Sequence, residues 1–288
     1  MHKLCRDNGR WAFLLIASLL AGCAAPPDAA SLARHHAIPL SQVQAGGFRL
    51  PVLGTLTTAS GELRVYLPGD GIPWRGHRPG KNPTGRRHMA LELLLRDPAP
   101  AVLLGRPCYL QRQMDPACDP DLWTGGRYSE TVVSALDAGL QQLVERSGAQ
   151  SLLLVGYSGG GTLATLLAAR QRLPTTVVTI AANLDTAAWT RYHRHLPLSA
   201  SLNPARETDS EAPLHRVHLH GDRDKVVPLD TLDAYRKHHP DAGWLIQAGF
   251  DHRCCWVEAW PELLETAREV RADRPDPRAP PGATRARP

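Results

Sequence analysis

The chain has 288 residues, of which 43% are hydrophobic and 21% are charged, and its net charge at pH 7 is +5. The charge excess lies at the two ends, because residues 1–22 contribute +2 and residues 271–288 contribute +3. The central part is therefore near neutral, and no basic stripe interleaved with aromatic residues marks it. We expect no nucleic-acid partner.

The first 22 residues have the pattern of a secretory signal peptide. Basic residues come first, the apolar run Trp11–Leu20 follows, and small residues lead to Cys23. A membrane-spanning helix needs about 20 apolar residues, so this shorter run predicts no helical anchor. The sequence Leu20-Ala21-Gly22-Cys23 resembles a bacterial lipobox, in which Cys23 is lipidated after cleavage.

Ala24, rather than aspartate, follows the lipobox cysteine. In its resemblance to the enterobacterial sorting pattern, this indicates an outer-membrane rather than an inner-membrane lipoprotein. We therefore predict an exported protein anchored in the bacterial cell envelope through lipidated Cys23, with the outer membrane favoured and the protein facing the periplasm. A plain secreted protein cut nearby is the alternative.

The rest of the chain divides into a tether, one domain and a tail. Residues 23–45 are small and polar with several prolines, and they are predicted to form a flexible tether. Residues 271–288 form a basic, proline-rich tail with too few apolar residues to bury anything. Residues 46–270 are predicted to form a single catalytic domain, long enough for a sizeable core.

Within that domain, short apolar runs alternate with helical patterns. Strands are predicted at 48–57, 62–67, 101–104, 152–155, 176–181, 217–220 and 244–248, and helices at 87–96, 129–146, 229–237 and 255–270 as well as after Ser158. This alternation predicts an α/β fold with a mostly parallel, doubly wound sheet that is covered on both faces.

The segment 151–172 carries the main functional signal. It is predicted to form a strand, a sharp turn containing Ser158, and a helix rich in alanine and leucine. Such a turn holds the Ser158 hydroxyl clear of the sheet in a strained conformation, which needs neighbours without side chains at Gly156 and Gly160, while Gly159 and Gly161 loosen it further. This context favours a nucleophile elbow, with the Gly159 amide placed to bind an oxyanion, over an ordinary glycine-rich turn.

Candidates for an acid and a base follow downstream, as a serine nucleophile requires. Asp224 lies in GDRDKVVP, which resembles the GxxDxxVP loop that carries the acid in α/β-hydrolases, and Asp222 is the fallback. Of the 13 histidines, His252 alone lies after the last predicted strand with a helix following. His218 and His220 share a strand face but lack a third ligand, so we predict neither a metal site nor a cofactor.

With Ser158, Asp224 and His252 in this order, the chain resembles the α/β-hydrolase fold from about residue 48 to 270. Segment 66–71 stands where that family has its oxyanion loop, although no histidine precedes the glycine. The resemblance implies that an amide of Asp70 or Gly71 pairs with that of Gly159. The patterns GDGxxW, RPC and DHxxCW are also similar to a group of bacterial exported hydrolases, which implies fold and triad but no substrate.

These features predict a serine hydrolase of carboxylesterase type. Only about 35 residues, 182–216, are available for a lid, so we expect little or no cap domain and a small or medium acyl substrate. Trp74, Trp123 and Trp189 either line an apolar pocket or pack in the core. Two alternatives remain: an envelope acyltransferase or peptidase with the same triad, and a non-catalytic lipid-anchored binding protein on an inactive hydrolase scaffold.

Four cysteines remain once Cys5 is removed by processing and Cys23 is lipidated. An exported location permits disulfides, and Cys108 with Cys118 would close a local loop, which is the pairing we favour. Cys254 and Cys255 are adjacent, so a bond between them would be strained. The alternative for each of the four is a small buried thiol.

Overall fold

The computed structural model describes residues 26–57, 61–208 and 211–272. The predicted signal peptide, Cys23 and all but the start of the predicted tail lie outside these ranges, so lipidation stays a prediction. Within the described ranges, no helix combines the length and the apolar character that crossing a bilayer requires.

An eight-stranded sheet forms the centre of the molecule, in the order β1-β2-β4-β3-β5-β6-β7-β8. β2 runs antiparallel to both of its neighbours, and the remaining pairs are parallel. The strands are β1 Leu40–Ala45, β2 Phe48–Gly54, β3 Glu62–Leu67, β4 Val102–Leu104, β5 Ser151–Tyr157, β6 Thr175–Ile180, β7 Leu214–Gly221 and β8 Gly243–Gln247. A separate hairpin joins Trp74–Arg75 to Arg78–Pro79.

Helices flank the sheet. They are α1 Ala29–His36, α2 Met89–Leu94, α3 Glu130–Ser147, α4 Gly159–Ala168, α5 Thr186–Tyr192, α6 Asp233–His238 and α7 Glu262–Ala272, with short 3₁₀ turns at Pro120–Trp123, Pro204–Arg206 and Leu229–Leu232. α3 shows why a sequence pattern becomes a helix. The Ser129 side chain caps its start, Gly148 in the left-handed conformation ends it, and the predicted apolar stripe is buried.

Residues 29–45 are folded, so the predicted flexible tether is wrong over this range and the domain begins near Ala29 rather than at 46. The Asp28 side chain caps α1 by accepting from the Ser31 amide, and β1 pairs with β2 along its whole length. The few apolar residues lie on one face of α1 and at alternate positions of β1, so that Leu32 and Val43 are buried. The average composition of the segment does not show this spacing, and the prediction of a tether depended on composition.

The last predicted helix begins later than expected, at Glu262 instead of Cys255. Trp256 and Trp260 fall within the predicted range but are buried in turns before the observed helix. Pro261 then precedes the first helical residue, a position where its missing amide hydrogen costs nothing. At its other end α7 continues to Ala272, into the segment predicted as tail.

The predicted fold class is confirmed: the sheet is mostly parallel, and the described residues between β6 and β7 form α5 and one 3₁₀ turn rather than a cap domain. β5 and β6 are buried almost throughout, as parallel strands covered on both faces must be. The predicted bond between Cys108 and Cys118 is present in the long β4–α3 loop, and Cys254 and Cys255 are also bonded.

Candidate active site

Three side chains from three strand ends meet at the carboxyl edge of the sheet. Ser158 follows β5, Asp224 follows β7 and His252 follows β8. His252 Nε2 lies 3.0 Å from Ser158 Oγ, and His252 Nδ1 lies 2.8 Å from Asp224 Oδ2. The structure therefore brings together the three residues that were predicted from the sequence as nucleophile, acid and base. The fallback acid, Asp222, instead accepts a hydrogen bond from the Gly249 amide at the surface.

The backbone at Ser158 is strained, with φ 52° and ψ −123°. A side chain at Gly156 would collide with the Gly160 carbonyl, and one at Gly160 would collide with the Leu67 carbonyl, so both glycines are required as predicted. The strain places the Ser158 hydroxyl at the edge of the sheet rather than in a strand face.

Gly159 and Gly161 do more than loosen the turn, which corrects the interpretation from sequence. A Cβ on Gly161 would strike that of Ala182, and one on Gly159 would strike the Asp70 carboxylate and the Tyr128 hydroxyl. Close packing by distant parts of the chain therefore also demands glycine here.

Asp224 is oriented by the backbone of its own loop. Its Oδ1 accepts hydrogen bonds from the amides of Val226 and Val227 at 2.8 and 2.9 Å, which leaves Oδ2 for His252. His220 contacts the same loop, with its Nε2 2.6 Å from the Val227 carbonyl, and burial lowers the pKa of this histidine. The arrangement favours one tautomer of His252, with the proton on Nδ1.

Tyr157 was missed by sequence reasoning, although it adjoins the nucleophile. Its hydroxyl donates to the His252 carbonyl at 2.8 Å, and its ring lies 5.4 Å from the imidazole, centroid to centroid. Burial, and then the charge of Asp224, raise the pKa of Tyr157, so the hydroxyl stays protonated as a donor. This contact ties the loop that carries the base to the strand that carries the nucleophile.

The His218 and His220 pair belongs to the packed interior. His218 Nδ1 lies 2.8 Å from the Thr179 hydroxyl, and burial lowers the pKa of His218 well below its usual value. Among the described residues, no group of three or more histidine, cysteine, aspartate or glutamate side chains could hold a metal ion.

The loop after β3 lies beside the nucleophile. A Cβ placed on Gly69 would be 3.5 Å from Ser158 Cβ, and Gly71 has a φ of 64° that permits the turn away from the site. No described residue accepts a hydrogen bond from the amides of Asp70 or Gly71. The Gly159 amide is in the first turn of α4, where helix geometry provides no acceptor. These amides are the available donors around Ser158.

A buried ion cluster holds the Asp70 side chain against Gly159. Arg106 Nη1 donates to Asp70 Oδ1 at 2.6 Å, while Arg127 Nη1 and the Tyr128 hydroxyl donate to Oδ2 at 3.2 and 2.6 Å. Arg106 is 0% exposed. Burial would raise the pKa of Asp70, but the two guanidinium charges outweigh it and hold that pKa at about 2. Two cations against one anion leave positive charge beside the nucleophile.

Sequence reasoning missed this cluster, because its members are far apart in the chain: Asp70 lies in the β3–α2 loop, and Arg106 and Arg127 lie at opposite ends of the long β4–α3 loop. Arg106 and Tyr109 flank Cys108, and the disulfide to Cys118 closes the loop that carries them. The Tyr109 hydroxyl donates to the Asp70 carbonyl at 3.0 Å. The quoted RPC and GDG patterns contained Arg106 and Asp70, but nothing local indicated that they touch.

A cavity of about 480 Å³ opens onto Ser158. Its inner end is apolar and is formed by Leu32, Leu53, Met89, Leu91 and Leu103. Of the three tryptophans considered, Trp189 lines it, Trp123 is buried with its indole donating to the Gly80 carbonyl, and Trp74 is 44% exposed and lies elsewhere. The cavity is of the size that small or medium ligands occupy.

No protein-family model matches the sequence, and no curated protein matches it. Solved structures match most of the chain. An esterase from Pyrococcus furiosus aligns with a TM-score of 0.56 and 14% identity, covering 83% of this chain and 93% of its own.

Two bacterial structures match over similar lengths. A serine hydrolase without a lid from Xanthomonas campestris has a TM-score of 0.50 and 12% identity, with coverage of 82% and 92%. A serine hydrolase homologue from Coxiella burnetii has a TM-score of 0.50 and 16% identity, with coverage of 82% and 97%. The chain therefore has the α/β-hydrolase fold.

Proposed function

We propose that the protein is a serine hydrolase that cleaves a carboxylic-ester-like bond in a small or medium substrate. The observation that carries this proposal is the continuous hydrogen-bonded series from Asp224 through His252 to Ser158, which ends at a strained turn facing a cavity. Packing alone does not require these three residue types in this geometry.

In the acylation step, His252 Nε2 takes the proton of the Ser158 hydroxyl as the oxygen attacks the ester carbonyl. The 3.0 Å separation is within the reach that this transfer needs. Asp224 holds the imidazole by its Nδ1 proton and offsets the charge that the ring gains. His252 then gives the proton to the leaving alcohol, and water activated by the same nitrogen releases the acyl group.

The oxyanion that forms during attack would be bound by the Gly159 amide together with that of Asp70 or Gly71. Removing one such donor typically costs on the order of a hundredfold or more in turnover. The net positive charge of Arg106 and Arg127 against Asp70 adds a favourable field at the same place, since the cluster is buried and weakly screened.

The substrate is proposed to be small or medium because the described residues between β6 and β7 form only one helix and one short turn, and because the cavity volume is modest. We further propose that export and lipidation at Cys23 place the enzyme in the cell envelope, facing the periplasm. A substrate of the envelope or the periplasm follows from that location.

The test is hydrolysis of a chain-length series of p-nitrophenyl esters by the purified protein and by Ser158→Ala, with each also treated with a fluorophosphonate probe. We expect wild type to label and turn over and the variant to do neither, and the chain-length profile then measures the acyl pocket. Labelling without hydrolysis of any ester would favour an acyltransferase or peptidase. Absence of labelling in both proteins would favour a binding protein on an inactive scaffold.

A further inference from the structure

The cavity beside Ser158 is lined by an excess of positive charge. Arg86, Arg87, Arg127 and Arg253 all line it, against Asp70 as the lining carboxylate. Asp70 is already paired with Arg106 and Arg127 and so offsets none of the others. Asp224 and Asp251, in the loops near His252, do not line the cavity.

The arginines at the cavity mouth are unpaired. Arg86, Arg87 and Arg253 are exposed, and none forms an ion pair or a side-chain hydrogen bond with any residue in the described ranges. Asp251 is close to Arg253 in sequence, but its Oδ1 accepts from the backbone amides of Arg253 and Cys254 instead. Within the described residues, three guanidinium groups therefore line the opening without a hydrogen bond or an ion pair, and only Arg253 has a carboxylate, Asp251, whose charge interacts with its own.

Buried polar atoms inside the same cavity also lack partners. Asn183 is 5% exposed and lines the cavity, and its side-chain oxygen makes no hydrogen bond in the described structure. His88 lines it too, and its buried Nε2 is equally unpaired. Burial lowers the pKa of His88, so its ring is neutral near pH 7. Because leaving such atoms unsatisfied is costly, this part of the cavity suits a hydrogen-bond donor, such as water or a polar group of a bound substrate.

The direction of the chemistry decides which part of a substrate meets the arginines. Arg253 directly follows His252 in the chain, and Arg87 lines the same cavity as Tyr157 and His252. The Tyr157 hydroxyl contacts His252, and Arg87 is near enough for its charge to act on Tyr157, so both arginines lie on the His252 side of the site. His252 has to deliver its proton to the leaving oxygen, so the alcohol part of an ester lies on that side. The acyl part then points toward the apolar inner end.

We infer that the substrate is an ester with an apolar acyl chain and an alcohol part that carries an anionic group, bound by Arg87 and Arg253 at the cavity mouth. This inference rests on the proposed hydrolase function and specifies its substrate class. Arg87 and Arg253 are the specificity-determining residues, and carboxylate or phosphate oxygens are the groups that guanidinium binds best.

The test compares two butyryl esters of similar size and shape, the anionic ester of 4-hydroxybenzenesulfonate and the neutral ester of 4-hydroxybenzenesulfonamide; the difference in reactivity of the two leaving phenols cancels when variants are compared with wild type. Both form the same acyl-enzyme, so the ratio of their kcat/KM values reports recognition of the leaving part. We define the ratio as kcat/KM for the sulfonate ester divided by kcat/KM for the sulfonamide ester. Relative to wild type, we expect it to fall about three- to fivefold in Arg87→Gln or Arg253→Gln, and roughly tenfold or more in the double variant. Arg253→Lys keeps the charge and should keep most of the preference.

Arg172→Gln is the matched control, since this exposed arginine lies between α4 and β6, at the opposite edge of the sheet from Ser158. Its ratio should equal that of wild type. The wild-type preference should also weaken when salt rises from about 0.1 M to about 1 M, because the Debye length falls from about 10 Å to about 3 Å.

Hydrolysis of both esters with the same ratio in wild type and in the double variant would overturn the anion inference and leave the hydrolase proposal standing. An equal fall in Arg172→Gln would overturn it as well, because the effect would then reflect overall charge. Hydrolysis of neither ester by wild type that does turn over p-nitrophenyl esters would overturn the anion inference alone, and failure on the p-nitrophenyl series as well would overturn the hydrolase proposal with it.

Discussion

Replacing Asp70 with asparagine is expected to lower the free energy of unfolding at pH 7 by about 2–5 kcal/mol. The carboxylate is the shared acceptor of Arg106, Arg127 and Tyr128, and these arginines keep the pKa of Asp70 at about 2 against a usual value of 3.8. Each unit of such a shift corresponds to about 1.4 kcal/mol, which gives the lower bound. Leaving two guanidinium groups buried without their counter-ion accounts for the upper bound.

The loss should depend on pH in a defined direction. Since the pKa of Asp70 is lower in the folded protein than in the unfolded chain, the charged form stabilises the fold above pH 3.8, and this contribution disappears as the pH falls from 3.8 to about 2. Roughly half of the part due to the pKa shift is gone by pH 3. The difference between wild type and Asp70→Asn should therefore shrink between pH 7 and pH 3.

Glu130→Gln provides the matched control. The pKa of Glu130 is also lowered to about 2, first by hydrogen bonds from Arg170 and Ser134, but its side chain is 63% exposed. Solvent screening should limit its loss to no more than about 1 kcal/mol. Urea unfolding of the three proteins at both pH values measures the differences. Equal losses in the two variants, or an Asp70→Asn protein as stable as wild type, would refute the reasoning from burial.

Four further predictions concern the site, the disulfide and the anchor. Asp224→Asn should lower kcat by on the order of 10³–10⁴ through the wrong tautomer of the base, and steady-state kinetics with a KM near wild type would support this. Gly159→Ala should lower kcat at least about a hundredfold, because the methyl group displaces the Asp70 carboxylate and the amide beside it; unaltered kinetics would contradict this. Cys108→Ser with Cys118→Ser should cost about 2–3 kcal/mol in thermal unfolding for so short a loop, and an unchanged melting curve would count against it. Cys23→Ser should move the protein from the membrane to the soluble fraction or leave it unprocessed, and its recovery with lipid attached would exclude the anchor at this residue.

Local patterns carried most of the catalytic prediction. Ser158 was identifiable because a nucleophile elbow is encoded within a few residues, as a strand, glycines on both sides and a helix. Asp224 and His252 were identifiable because each directly follows a strand, and the order of the strands along the chain matches the order of the roles. Such features need no knowledge of distant contacts.

Segments with few apolar residues were interpreted less well. The average composition of residues 29–45 is polar and predicts a tether, whereas α1 buries one face and β1 pairs edge to edge with β2 and buries Val43 and Ala45. The predicted last helix, 255–270, includes turns that hold Trp256 and Trp260, because large apolar residues at helical spacing are also compatible with buried turns.

The sequence alone determined the fold class and the order of the nucleophile, acid and base, because both depend on short patterns and on their succession along the chain. Only the tertiary structure decided the surroundings of Ser158. Asp70 in the β3–α2 loop and Arg106 and Arg127 from opposite ends of the long β4–α3 loop meet beside Gly159. Arg87 and Arg253, far apart in the chain, share the mouth of one cavity. Buried charge clusters and cavity walls are formed by contacts between residues distant in sequence, and those contacts exist only once the sheet has assembled.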